Sequence, residues 1–123
     1  MIPARTIRIA TRGSRLALWQ AHAVSDRLRA AGARTEVIVM TTTGDQSQLA
    51  SIPGDDSKRQ FVKELEDALL RGDADVAVHS AKNLPVALPE GLTVAACLPR
   101  EDARDGLVLP NGLGPVPLPD ALA

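Results

Sequence analysis

The sequence has 123 residues, which is enough for one domain with a buried core, and 45% of them are hydrophobic. Aromatic residues make up only 2%, which argues against a base-stacking surface for nucleic acid. The 14 basic residues nearly balance the 15 acidic ones, so the charge pattern does not predict a polyanion-binding protein either.

Cys97 is the only cysteine, so we expect no disulfide within the chain and no cysteine-rich metal site. It lies in the apolar run of residues 94–98, which favours a small buried hydrophobic side chain over a reactive thiol. No metal site is predicted. No segment approaches the length that would span a membrane, and we therefore expect a cytoplasmic protein without a membrane segment.

The first part of the chain predicts a strand, a helix and a second strand. Residues 6–10 alternate in polarity and are rich in β-branched side chains, as is typical of a strand. Ser14 is a suitable N-cap for a helix over residues 15–31, and Gly32 is a suitable end. Residues 36–40 predict the next strand, and the helical connection favours a parallel pair.

The middle of the chain predicts a loop, a helix and two further strands. Residues 44–59 are polar and weakly periodic, so we expect a long loop that is either solvated or functional. Residues 60–71 have the pattern of an amphipathic helix. Short apolar runs at residues 76–78 and 92–98 indicate strands. The predicted fold class is α/β, with a mixed, mostly parallel sheet flanked by helices.

The last part of the chain has a different composition. Residues 100–105 are charged and fit either a solvated turn or a hinge between two lobes. Residues 107–109 indicate a short strand. Residues 110–123 are rich in proline and glycine, which indicates a linker or an irregular tail.

A polar cluster follows the predicted strand at residues 76–78. His79, Ser80, Lys82 and Asn83 come directly after it, and Pro85 closes the segment. The carboxyl ends of strands in open α/β sheets are where ligands bind. Taken alone, the pattern fits an ordinary strand-to-turn junction better than a site, because such junctions are far more common.

Arg12 lies in the first strand-to-helix turn, beside the backbone N–H groups of a helix start. A guanidinium and such donors together suit a carboxylate or phosphate, although an arginine in a surface turn is the simpler interpretation. If the first strand is central, Arg12 and Lys82 face one crevice, with Lys58 and Arg59 in the loop nearby. The sequence contains no P-loop, dinucleotide-binding glycine motif or nucleophile elbow. The residues themselves predict a crevice for an anionic small molecule.

The chain also resembles a known family. The resemblance is carried by six motifs in family order, from about residue 7 to about residue 109. They are IATRGS at 9–14, LALWQA at 16–21, TTGD at 42–45, FVKELE at 61–66, VHSAK at 78–82 and REDARD at 100–105. These motifs strongly resemble the first lobe of porphobilinogen deaminase, also called hydroxymethylbilane synthase.

The resemblance implies a reaction, a cofactor and a domain arrangement. The family condenses porphobilinogen head to tail into hydroxymethylbilane with loss of ammonia, on a dipyrromethane cofactor. Its first two domains resemble lobes of periplasmic binding proteins. Residues 1–99 would then form the first lobe, residues 100–105 the hinge, and residues 106–123 the start of the second lobe.

The resemblance also implies roles for individual residues. Arg12 and Ser14 match positions that contact the carboxylates of cofactor and substrate, and Lys82 matches a lysine that binds pyrrole carboxylates. Lys58 matches a loop lysine near the site, and Phe61 a phenylalanine that packs there. His79 and Ser80 belong to the same strand-end motif, where we expect them to orient the site.

Asn83 is the first departure from the family pattern. The family has aspartate here as its main catalytic group, which holds pyrrole N–H groups and stabilises a cationic intermediate. Asparagine keeps the shape and an acceptor oxygen but has neither the charge nor an exchangeable proton. Residues 58–61 also depart, because Arg59 stands where the family has glycine.

The second departure is the ending. The chain ends before the family's G-T-S-S-x-R-R motif and before the cysteine that carries the cofactor, so we expect a truncated lobe. We do not assign the attachment to Cys97. An uncovered face of such a lobe would favour self-association or a complementary fragment.

Three hypotheses follow. The first is a porphobilinogen deaminase-type transferase that binds porphobilinogen and polypyrrole intermediates and is inactive as this chain alone. The second is a non-catalytic anion-binding or regulatory module on the same lobe. The third is that Asn83 marks an engineered or trapped form of an active parent.

Overall fold

The computed structural model describes residues 5–40 and 54–106, with side chains from residue 61 onward in the second segment. Its elements confirm the predicted α/β class. In chain order they are β1 (Thr6–Thr11), α1 (Arg15–Ala30), β2 (Arg34–Val39), α2 (Gly54–Arg71), β3 (Val76–Ala77) and a 3₁₀ turn (Ala81–Asn83). Among these residues, no helix is both long and apolar enough to cross a membrane.

β1 is the central strand of the described sheet. The strand order is β2-β1-β3, and both pairings are parallel. Ile9 lies opposite Val37 on one side and Val76 on the other. A strand that is paired on both edges and covered by helices should be fully buried, and Ile9, Ala10 and Thr11 are each 0% exposed.

α1 forms as its sequence predicts. The hydroxyl oxygen of Ser14 accepts the backbone N–H of Ala17 at 3.2 Å, which is the N-cap interaction. Gly32 follows the helix with a φ of 92°, a conformation that glycine adopts without steric cost. The hydroxyls of Ser25 and Thr35 lie 2.6 Å apart and tie the buried face of α1 to β2.

α2 begins earlier than predicted. It starts at Gly54 rather than at residue 60, so the predicted loop is wrong for residues 54–59. The first turns carry polar residues, among them Asp55 and Asp56, and therefore show no apolar periodicity. The rest of that loop lies outside the described residues, as do the predicted strand at 107–109 and the tail.

α2 packs its apolar stripe against the sheet. Phe61, Leu65 and Ala68 are 3%, 0% and 0% exposed, as their helical spacing predicts. Leu65 forms a core cluster with Ala10 and Ala74, and Ala77 packs against it. This cluster joins α2 to the central and third strands.

The prediction of a strand over residues 92–98 is wrong. No residue of this segment is in a strand, and Val94 and Leu98 are 51% and 42% exposed. An apolar run becomes a strand only when it pairs with another strand, and it does not pair with a described one. Cys97 is exposed rather than buried, so its predicted place in the core is wrong too. The hinge at residues 100–105 stays a prediction.

The carboxylate of Asp75 stabilises the amino end of the sheet through its bonds to Arg5 and Arg8. It accepts the backbone N–H of Arg8 at 2.9 Å and the Nε–H of Arg8 at 3.1 Å, and it pairs with Arg5 at 2.6 Å. A guanidinium nitrogen of Arg8 also donates to the carbonyl of Gly72 at 2.8 Å. These bonds tie the α2–β3 connection to β1. The side-chain hydrogen bond from Arg8 is the main reason that the pKa of Asp75 is lowered to about 2.

We predict that Asp75→Asn lowers the midpoint of thermal unfolding by several degrees at pH 7. Because the folded-state pKa lies below the ordinary value of 3.8, the difference from the unchanged protein should be complete above pH 3.8 and disappear as the pH falls through about 2. Circular dichroism melts at several pH values measure it.

Asp73→Asn is the matched control, because the ion pair of Asp73 with Arg71 is exposed and should contribute little. An equal loss in both variants, or a difference that does not shrink as the pH falls from 3.8 through about 2, would contradict the role of Asp75.

Candidate functional site

The carboxyl ends of β1 and β3 form a groove of about 230 Å³. Its position follows from the strand order. The chain leaves β1 for β2 on one side and later returns to pair β3 on the other, so the sheet has a switch point between β1 and β3. Open α/β sheets bind ligands at such points. The groove is lined by Arg12, Ser14, Leu16, Ala17, Gln20, Val78, His79, Ser80, Lys82 and Asn83.

One wall of the groove is the turn between β1 and α1. Ser14 accepts the Ala17 N–H through its hydroxyl oxygen, so its own O–H is left to donate to a ligand. The hydroxyl of Thr11 lies 3.2 Å from the carbonyl oxygens of Arg12 and Ala17 and holds the turn against the first helical turn. The unpaired N–H groups of a helix start also lie on this wall.

In the described part of the chain, Arg12 contacts an aromatic ring rather than an acid. Its Cζ atom lies 3.6 Å from the centroid of the Phe61 ring, which is the geometry of a cation–π contact. Its Nε atom is buried and has no hydrogen-bond partner among the described residues. Phe61 is 3% exposed and lies behind Arg12 rather than on the groove surface. A half-buried guanidinium with a donor that no described residue uses is suited to an anion.

The opposite wall is the segment after β3. The N–H of Val78 donates to the carbonyl of Ala10 at 3.1 Å and continues the pairing beyond the strand. The N–H of Asn83 donates to the carbonyl of Ser80 at 2.9 Å, which closes the 3₁₀ turn. The turn presents Lys82, which is exposed, and Asn83, which is half-buried, along the groove.

His79 is half-buried on the groove. Its pKa lies below the ordinary value of 6.5, mainly because burial disfavours the charged form and secondarily because Arg12 is positively charged. The imidazole is therefore neutral at pH 7. The positive charge of the groove comes from Arg12 and Lys82.

Gln20 is a groove residue that the sequence did not predict. Its side-chain nitrogen donates to the hydroxyl of Ser80 at 2.9 Å. Its spacing in the sequence could have indicated it. Gln20 is a polar residue four positions after Leu16 and three after Ala17, on a helix face that otherwise contains small or apolar residues.

The structure brings together most of the predicted site residues. Those on the groove are Arg12, Ser14, His79, Ser80, Lys82 and Asn83. Lys58 lies in α2 by its backbone, and its side chain is outside the described part of the chain. Cys97 is exposed and does not line the groove. In the described ranges, no group of three or more His, Cys, Asp or Glu side chains could hold a metal ion.

Comparison with known proteins points to one family. The family model described as "Porphobilinogen deaminase, dipyromethane cofactor binding domain" matches residues 7–121. A porphobilinogen deaminase of Campylobacter fetus subsp. fetus (strain 82-40) is 48% identical over 105 residues, which cover 83% of this chain and 34% of the relative. A porphobilinogen deaminase of Burkholderia vietnamiensis (strain G4 / LMG 22486) is 50% identical over 105 residues, covering 84% and 32%. The chain thus spans about a third of the length of these curated relatives.

We predict that the His79 imidazole titrates below pH 6.5 and that Arg12→Gln raises its pKa, because the variant removes the neighbouring positive charge. The value should still lie below 6.5, since burial is the larger cause. Nuclear magnetic resonance titration of the imidazole measures it. Arg15→Gln, at an exposed arginine on the first turn of α1, is the control and should leave the His79 pKa unchanged. A pKa at or above 6.5 in the unchanged protein would contradict this description of the groove.

Proposed function

Since the chain belongs to the porphobilinogen deaminase family, we propose that its groove binds the carboxylate side chains of porphobilinogen and of the dipyrromethane cofactor. The reaction that it would serve is the head-to-tail condensation of porphobilinogen into hydroxymethylbilane with loss of ammonia. The observation that carries the proposal is the buried Nε of Arg12, which is unpaired among the described residues, on a groove that also presents Lys82.

The residues of the groove fit the acidic substituents of a dipyrromethane. Arg12 and Lys82 supply positive charge, and the hydroxyl of Ser14 supplies a further donor. Such charge-assisted hydrogen bonds are the strong ones, particularly around a desolvated guanidinium. Covalent attachment does not fit Cys97, because that residue is exposed and outside the groove lining. When bound, the cofactor supplies the pyrrole carbon to which the next unit is joined.

Each side chain of the groove has its own role in this proposal. Arg12 and Lys82 hold carboxylates, and the Phe61 ring keeps the Arg12 guanidinium in place from behind. The side-chain oxygen of Asn83 accepts a pyrrole N–H. His79 is neutral, so it adds a hydrogen-bonding group without adding repulsion against a cationic intermediate.

Asn83 limits the chemistry that the groove can perform. A carboxylate at this position would stabilise a developing cation, whereas an amide offers only a dipole. Loss of one preorganised electrostatic group commonly costs about 3 kcal/mol, or about a hundredfold in rate. We therefore propose that this chain alone binds pyrroles but does not turn them over.

The rest of the proposal concerns the larger assembly. The described sheet corresponds to a first lobe of the periplasmic binding-protein type, with residues 100–105 as its hinge to a second lobe. In that segment Asp102 and Arg104 form an exposed ion pair, which adds little stability.

Asn83 also favours a second candidate function, a non-catalytic module that binds carboxylates. In the first candidate the groove serves a condensation that needs more than this chain, whereas in the second the groove only binds carboxylates. Both candidates therefore predict that this chain alone consumes no porphobilinogen. Incubation of the chain with porphobilinogen, followed by an ammonia assay, should show no release above the buffer rate. Clear turnover would contradict the proposed inactivity and exclude the non-catalytic module.

We predict that Arg12→Ala weakens porphobilinogen binding by about tenfold or more, because it removes a charge-assisted hydrogen bond from a half-buried position. Isothermal titration calorimetry measures the affinity. Arg15→Ala is the matched control, since Arg15 is exposed and does not line the groove. Equal affinities for Arg12→Ala and the unchanged protein would remove the carboxylate-site assignment.

A further inference from the structure

We propose that Gln20 is a positioning residue, whose hydrogen bond to Ser80 fixes the spacing between the two walls of the groove and hence the spacing of the carboxylates it accepts. One wall carries Arg12 and Ser14, and the other carries Lys82 and Asn83. This inference rests on the proposed function for its ligand, but the contact on which it depends is a feature of the protein itself.

The contact joins the two walls directly. The side-chain nitrogen of Gln20 donates to the Ser80 hydroxyl at 2.9 Å, and that hydroxyl lies 3.2 Å from the side-chain oxygen of Gln20. Gln20 lies in the second turn of α1, and Ser80 immediately precedes the 3₁₀ turn. Both side chains are half-buried, so water competes less well for their hydrogen bonds than it would at the surface.

The hydroxyl of Ser80 does not make the capping hydrogen bond that is usual for a serine at an N-cap position. Ser80 is the N-cap of the 3₁₀ turn, yet its side chain makes no capping hydrogen bond to that turn. A serine N-cap ordinarily accepts a backbone N–H from its own helix. Here the hydroxyl is bonded to Gln20 across the groove. The turn therefore lacks a side-chain capping bond, and Ser80 is linked to α1 instead.

The 3₁₀ turn has few other attachments to the sheet. β3 pairs with β1 through only Val76 and Ala77. Two further backbone bonds extend this pairing, from Asp75 to Arg8 before the strand and from Val78 to Ala10 after it, and only the second lies on the side of the turn. The described residues after the turn form no strand or α-helix. The position of Lys82 relative to Arg12 therefore depends on a side-chain contact, and the Gln20–Ser80 bond supplies one.

This dependence has a consequence for specificity. A ligand with one carboxylate can bind one cation whatever the spacing of the walls. A ligand with two carboxylates can bind Arg12 and Lys82 at once only when the spacing of the two cations matches the spacing of its carboxylates. A groove whose walls are already held at that spacing binds such a ligand more tightly, because little free energy is spent on ordering the walls. Loss of the bond should therefore weaken two-carboxylate ligands selectively.

Calorimetry on the 123-residue chain tests this with two probes: porphobilinogen, which carries two carboxylates, and a pyrrole with a single propionate. Gln20→Met keeps the length of the side chain and removes its hydrogen bonds. We expect it to weaken porphobilinogen binding about tenfold and the single propionate by less than about twofold. Equal affinity for porphobilinogen, or an equal loss for both probes, would overturn the inference.

Variants at Ser80 supply the matched controls. Ser80→Ala should reproduce the effect of Gln20→Met, and the double variant should be no worse than either single one, because both remove the same bond. Ser80→Thr keeps the hydroxyl and should retain affinity within about twofold. Additive losses, or a threonine variant as weak as the alanine variant, would assign the effect to something other than this bond.

A second measurement needs no ligand. The N–H of Asn83 is bonded to the carbonyl of Ser80, so its hydrogen exchange reports on the order of the turn. Gln20→Met should accelerate exchange at Asn83 while leaving Ile9, in the centre of β1, unchanged. If exchange at Asn83 is the same in Gln20→Met as in the original protein, the inference is overturned even if the chain binds porphobilinogen. If the original chain does not bind porphobilinogen, the proposed function is overturned, and the specificity argument with it.

Discussion

The parallel pairing of β1 on both of its edges is the constraint on which the rest of the described structure depends. It buries Ile9, Ala10 and Thr11 completely and places β2 and β3 on opposite sides. Because all three strands run the same way, their carboxyl ends meet at one edge. That edge contains a switch point, and the turn with Arg12 and the segment with Lys82 face each other there.

The arginines at the two ends of the sheet differ in their interaction partners. At the amino end, Arg5 and Arg8 are both paired with the carboxylate of Asp75, and the charges there are satisfied within the protein. At the carboxyl end, Arg12 is stacked on Phe61, and its Nε has no partner within residues 5–40 and 61–106. The first arrangement holds the fold together, and the second leaves a cation available to a ligand.

Local signals were enough to predict the elements that build this edge. Ser14 and Gly32 mark the ends of α1, and the alternation of residues 6–10 marks β1, because capping and strand periodicity depend on neighbouring residues. The start of α2 was missed since its polar first turns show no periodicity. The predicted strand at residues 92–98 failed because strand formation depends on a distant partner. The Gln20–Ser80 contact, between residues far apart in the chain, has no local signal except one polar residue on an apolar helix face.

The central claim is that the carboxyl end of this sheet binds a carboxylate-bearing pyrrole. Its most direct test is the mapping of amide chemical shifts in the labelled chain during addition of porphobilinogen. The account predicts changes confined to the groove, at Ser14, Gln20, Ser80 and Lys82, with none near Asp75 at the opposite end of the sheet. Changes centred on Asp75, or no changes at all, would contradict it.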